Sequence, residues 1–150
     1  MNPYLRFAAM IATSTVLMYG LMYLNTYRWG DVFFSETRVF MALIMGAVMA
    51  TVMLGFMPKM YPHRRTNTAI VVGSAAVFAL SLWLVRSQAT IGDVAWMKAM
   101  IPHHSIAILT SERARLSDPR VRRLADSIIE AQVREIDEMK ALIRELEAGR

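Results

Sequence analysis

The chain of 150 residues contains no cysteine. Disulfides and thiolate metal sites are therefore excluded, and a soft-metal site would have to rest on methionine and histidine. Acidic residues are scarce at the start: of twelve, only Asp31 and Glu36 precede Asp93. Charged residues make up 19% of the chain, against a usual share of about 25%. This split reads as an N-terminal part suited to lipid and a C-terminal part suited to water. The net charge of +5 does not point to nucleic acid. Residues 1–85 carry +4 of it (six basic minus two acidic), and residues 86–150 hold eleven basic and ten acidic groups, so no basic face forms. There is no phosphate-binding loop and no nucleophile placed beside a base, so an enzyme is not expected.

What the chain does have is three long apolar runs, at residues 5–24, 39–57 and 68–85. Crossing a bilayer takes about 20 apolar residues, and backbone polar groups cannot be left open in lipid, so each run is expected to be a transmembrane helix. Arg6, at an edge, is the one charge inside them. Tyr4, Tyr23, Tyr27, Trp29, Tyr61 and Trp83 fall near run ends, where interfacial aromatics belong. The first run is longer than a signal-peptide core and no Ala-x-Ala site follows it, so it reads as an uncleaved anchor. The connection between the second and third runs holds Lys59, Arg64 and Arg65 without an acid. The connection between the first and second holds Arg28 and Arg38 against Asp31 and Glu36. The positive-inside rule then puts the basic connection and the N-terminus in the cytoplasm, and the C-terminal part on the opposite side.

Methionine is abundant, at 13 residues. In the second run Met41, Met45, Met49, Met53 and Met57 follow one another at steps of four, with Met10, Met18 and Met22 in the first. A thioether path for Cu(I) is one reading. Packing or lipid contact is the preferred one, because Met is apolar and adaptable. Gly46, Ala50, Gly55, Gly73, Ser74 and Ala75 suggest close helix contacts through small residues. Apart from Arg6 at an edge, no acid, base or histidine lies inside a run, which argues against a proton-coupled transporter.

The division is thus a membrane domain at 1–88 and an extramembrane helical hairpin at 89–150, all α-helical. The hairpin helices are expected at about 93–116 and 119–147, with Asp93 as N-cap of the first and Ser117-Asp118-Pro119 starting the second. The second helix carries an apolar stripe of Val121, Leu124, Ile128, Met139, Leu142 and Leu146. Two helices alone bury little core, so a homodimer or higher homo-oligomer is expected, two hairpins making a four-helix bundle. Pro102 falls inside the first helix, just before His103 and His104.

Met97, Met100 and His104 share one helix face, with His103 about 100° further round. Met139 approaches if the hairpin is antiparallel. Met97, Met100, His103, His104 and Met139 are therefore the candidate metal ligands. Gln132 and Glu135, polar on an otherwise apolar stripe, are candidate partners for the imidazole N–H groups. Sulfur and imidazole suit Cu(I) or Ag(I), with zinc at the histidines as an alternative. A di-iron carboxylate site is not indicated, because no Glu-x-x-His occurs. The competing reading makes Met97 and Met100 core residues and pairs His104 with Glu135.

Residues from Asp93 to about Ile143 resemble the bacterial family called domain of unknown function 305. The resemblance rests on Asp93, Met97, Met100-Ile101-Pro102-His103-His104, Ala107-Ile108, Asp118-Pro119, Val121-Arg122, Leu124-Ala125, Ile128-Ile129, Gln132, Glu135-Ile136 and Met139. It implies a ferritin-like helical bundle, here half of one; with the three apolar runs, the chain reads as a membrane-anchored, single-copy form. It also implies an extracytoplasmic place, hence a bacterial inner membrane with the hairpin periplasmic or extracellular. Some members bind copper and act in copper or silver tolerance, so metal storage, buffering or handover is the expected role, with an unidentified metal-handling partner. Where many members carry a further Met beyond the histidine pair, this chain has Thr110. Many also have two hairpins in one chain; here there is one, which favours pairing between chains. The alternative role is a structural or assembly module of the membrane, docking on itself or on a partner without metal.

Overall fold

The computed structural model describes residues 2–149, and among these it is helical with no strand. Five α-helices follow in order: α1 Pro3–Leu21, α2 Glu36–Phe56, α3 Arg64–Ser87, α4 Asp93–Arg113 and α5 Pro119–Ala148. A short 3-10 turn, Trp29–Asp31, lies between α1 and α2. Helices α1, α2 and α3 have 19, 21 and 24 residues and are apolar enough to cross a membrane. At 1.5 Å per residue they span about 28 to 36 Å, against a hydrocarbon core of about 30 Å.

Helix ends follow local chemistry. Asn2 caps α1 by accepting the Tyr4 N–H at 2.9 Å, with Pro3 in the first turn. The helix stops at Leu21, earlier than the apolar run does, and the Arg38 guanidinium donates to the Met22 carbonyl just beyond it. Gln88 closes α3 in the left-handed region (φ 53°), its N–H bonded to the Leu84 carbonyl at 3.0 Å and its amide to that of Val85 at 2.7 Å. Gly92, not Asp93, is the cap of α4, and Asp93 sits in the first turn, where its charge faces the positive end of the helix dipole. Helix α4 ends at Arg113 rather than 116, and Arg122 donates to the Ser111 carbonyl at 3.0 Å, occupying an acceptor of that last turn.

The chain divides into two units. The first comprises residues 1–22 and 37–90, the second residues 23–36 and 91–150. In the first, α2 buries a stripe of small residues, Ala42, Gly46, Ala47 and Ala50, ending in Leu54. A Cβ built on Gly46 would lie 2.4 Å from the Thr15 hydroxyl oxygen, so with Thr15 opposite, this close approach of α1 and α2 calls for glycine. Phe7, Ala50, Leu54 and Tyr61 form a core, and Tyr4 lies beside it, its hydroxyl donating to Asn67 at 2.9 Å and accepting the His63 N–H at 3.0 Å. The methionine ladder of α2 lies beside the buried stripe, with Met41 and Met57 exposed.

In the second unit α4 and α5 run antiparallel. Lys98 meets Glu147, His104 meets Glu135 and Ser111 meets Arg122, so numbers rise on one helix as they fall on the other. Met97, Ile101, Ile108, Ile136, Met139 and Ile143 form the core between them. Residues 23–36, which join α1 to α2, belong to this unit, and Tyr27 and Phe33 pack on its core. A division at 88/89 alone does not contain this third segment.

Candidate functional site

Two polar clusters lie in the second unit. The first is built on Pro102, which is wholly buried within α4 and removes the N–H that the Lys98 carbonyl would otherwise accept. His104 follows on the same turn. Its Nδ1 lies 3.0 Å from the Met100 carbonyl oxygen and its Nε2 lies 2.8 Å from Glu135 Oε2. A carbonyl oxygen only accepts, so Nδ1 carries a hydrogen. Gln132 Nε2 reaches the same Glu135 oxygen at 3.5 Å. His103 is exposed, its ring centroid 6.3 Å from that of His104.

Of the five candidate ligands, Met97 and Met139 lie in the aliphatic core, and Met100 is half-buried against it. The three methionines therefore share one cluster, but among isoleucines. His104 adjoins that cluster through the Met100 carbonyl, and His103 points outward from it. No group of three or more His, Asp or Glu arranged to hold a metal occurs among the described residues. A single chain thus offers an ion the exposed His103, with His104 held by Glu135 and all three methionines packed in or against the core. That falls short of a preformed five-residue Cu(I) site.

The second cluster leaves little trace in the sequence. Asp31, 2% exposed, accepts from Lys140 Nζ at 2.5 Å and from Ser105 Oγ at 2.8 Å. Ser105 Oγ in turn accepts the Tyr27 N–H at 2.9 Å. The α1–α2 connection is thus clasped to both α4 and α5 by a buried carboxylate. Interaction with the Glu112 carboxylate holds the Tyr27 phenol above its usual range. The one available hint was compositional, since Asp31 is one of two acids in the whole N-terminal part.

A family model described as a domain of unknown function (DUF305) matches residues 84–148. Over 144 residues the chain is 30% identical to the uncharacterized protein L153 of Acanthamoeba polyphaga mimivirus, covering 91% of this chain and 93% of that one. The chain belongs to the DUF305 family. No solved structure matches it. The DUF305 segment takes in α4 and α5 whole, with His104, Glu135, Ser105 and Lys140. Asp31 lies outside that segment. Coverage of 91% means that the similarity to the viral protein extends through most of the apolar helices as well.

Proposed function

We propose that this DUF305 protein is a membrane-anchored docking module. Helices α1–α3 hold it in the bilayer, and the α4–α5 pair, in water, binds another protein surface. One observation carries the reading. On α5, next to its buried stripe, Val121, Leu124, Ile128, Leu142 and Leu146 are all exposed, Leu124 at 60%. A water-facing helix rarely keeps so many large apolar side chains uncovered, and contiguous patches of this kind mark interaction sites. The basic α2–α3 connection supports a cytoplasmic N-terminus and an α4–α5 pair on the far side of a bacterial inner membrane. The test is crosslinking of intact membranes holding the full chain. Wild type gives higher-mass species that contain the chain, and Leu124→Asp with Leu142→Asp removes them while helical content stays. Membranes in which the wild-type chain never crosslinks to any protein would end this reading.

A second reading, soft-metal binding, is favoured by the orientation of His104. Its Nδ1 donates to a backbone carbonyl, as metal-ligating histidines commonly do, which leaves Nε2 as the outward nitrogen. Copper(I) or silver(I) is the preferred ion, zinc the alternative. The reading ranks second because Met97 and Met139 are packed among isoleucines and Glu135 already occupies Nε2. Titration with Cu(I) decides it: binding no tighter than that of a His103→Ala, His104→Ala variant removes it.

A further inference from the structure

The open flank of the α4–α5 pair has a pattern along its length. At one end lie Trp96 on α4, 50% exposed, and Leu142 and Leu146 on α5. At the other lie Val121, Leu124 and Ile128. Between them is a polar level with His103 and His104 on α4 and Glu135 and Glu138 on α5. At 100° per residue, Arg123, Glu130, Arg134, Asp137 and Arg144 project from the other side of α5. The flank is therefore apolar at both ends, with bases on one helix and acids on the other at its middle.

We infer that a second copy of this chain covers this flank, related by a two-fold axis parallel to the helices. The inference rests on the docking-module reading and names its partner. Such an axis sets each level against the same level of the other copy but exchanges the helices. His103 of each α4 then lies at the level of Glu138 on the partner's α5, beside the His104–Glu135 pair that each chain makes for itself, and the apolar ends meet apolar ends. An axis perpendicular to the helices would set α4 on α4 and α5 on α5, with histidine against histidine and acid against acid. Chain connection favours the same choice. Helix α3 ends at Ser87 and α4 starts at Asp93, so α4 begins within a short tether of the bilayer in every copy. A parallel axis keeps both starts at one end. A perpendicular axis moves one of them a helix length away, about 30 Å for 21 residues. A lipid surface is the poorer occupant, because helices that bind headgroups carry Lys and Arg on their polar face, and this polar level carries acids.

The lack of native cysteine makes the test direct. Two differently tagged full chains are expressed together, one with Ala107→Cys on α4 and the other with Ala131→Cys on α5, and oxidised in membranes. The expected result is a disulfide between the two tags, with no 107–107 or 131–131 link, since like positions lie diagonally beyond disulfide reach. His103→Cys with Glu138→Cys, both at exposed positions, serves as a second pair should the alanine sites perturb folding. Links between like positions would overturn the axis. Crosslinking only to a different protein would overturn the second copy and leave the docking module standing. No crosslinking to anything overturns both.

Discussion

The two units are held together by different means. In the α1–α3 unit the packed stripe is mostly small: Ala42, Gly46, Ala47, Ala50. In the α4–α5 unit the core is Met and Ile, and a buried carboxylate ties in a third segment. The contrast follows from the solvent each is suited to. In lipid, apolar side chains gain little by leaving the surroundings, so helices associate where small residues allow backbones to come close. In water, burial of large aliphatic groups is the main driving force. Two helices supply too little of it, which gives residues 23–36 a structural role: Tyr27 and Phe33 extend the core, and Asp31 locks them down. The clasp thus holds the α1–α2 connection against both α4 and α5.

The largest expected effect is loss of the clasp. Lys140→Met leaves Asp31 buried and charged without its cation, which costs about 3–5 kcal/mol when a buried pair is broken. Lys140 keeps some exposure, so the lower end of that range is expected. Hydrogen exchange of α4 and α5 amides in the full chain reads it. Adding Asp31→Asn removes the stranded charge and recovers most of the loss. If Lys140→Met costs less than about 1 kcal/mol, the pair behaves as a surface bridge and the third segment is ornamental.

Next comes the α1–α2 contact. A methyl group at position 46 would meet the Thr15 hydroxyl at 2.4 Å, so Gly46→Ala forces a shift worth about 1–3 kcal/mol. Thr15→Ala removes that oxygen and leaves a nearest contact of 3.5 Å, so the double variant regains the packing. The signature is non-additivity in thermal unfolding of the detergent-solubilised chain. Simple additivity would mean that small residues here merely tolerate contact.

Met139→Leu sharpens the contrast at the candidate metal site. As a core residue among isoleucines, Met139 tolerates leucine at under about 1.5 kcal/mol. Cu(I) affinity, if any is measured, should not change. A clear fall in affinity would show that this thioether is a ligand.

How much of this was readable in advance depends on range. The three apolar helices and α5 follow from runs and periodicity, and Asp118-Pro119 marks the start of α5. The His104–Glu135 contact was half-visible, because a carboxylate on an apolar stripe needs a partner and the histidines stand on the facing helix. The clasp was not visible. Asp31 lies 74 positions from Ser105 and 109 from Lys140, and a single long-range pair leaves no periodic trace. Helix ends shifted for a related reason: Arg38 at Met22 and Arg122 at Ser111 act across turns that local rules do not see.

The smallest effect expected is at the α4–α5 turn, where local hydrogen bonds start α5. Asp118 accepts the Arg120 N–H at 2.8 Å and pairs with its guanidinium at 2.8 Å, and that side-chain bond is the main reason its carboxyl sits below the usual range. A carboxyl lowered on folding adds stability that is present above its unfolded value and is lost as pH falls through the folded one. Asp118→Ala should therefore weaken the first turn of α5 slightly at neutral pH, and the difference from wild type should vanish in acid. Exchange rates of the Arg120 and Val121 amides, followed from neutral pH downward, give the curve. A gap that persists after the carboxylate is protonated would mean that the effect lies in the backbone of the turn and that the side-chain cap contributes nothing.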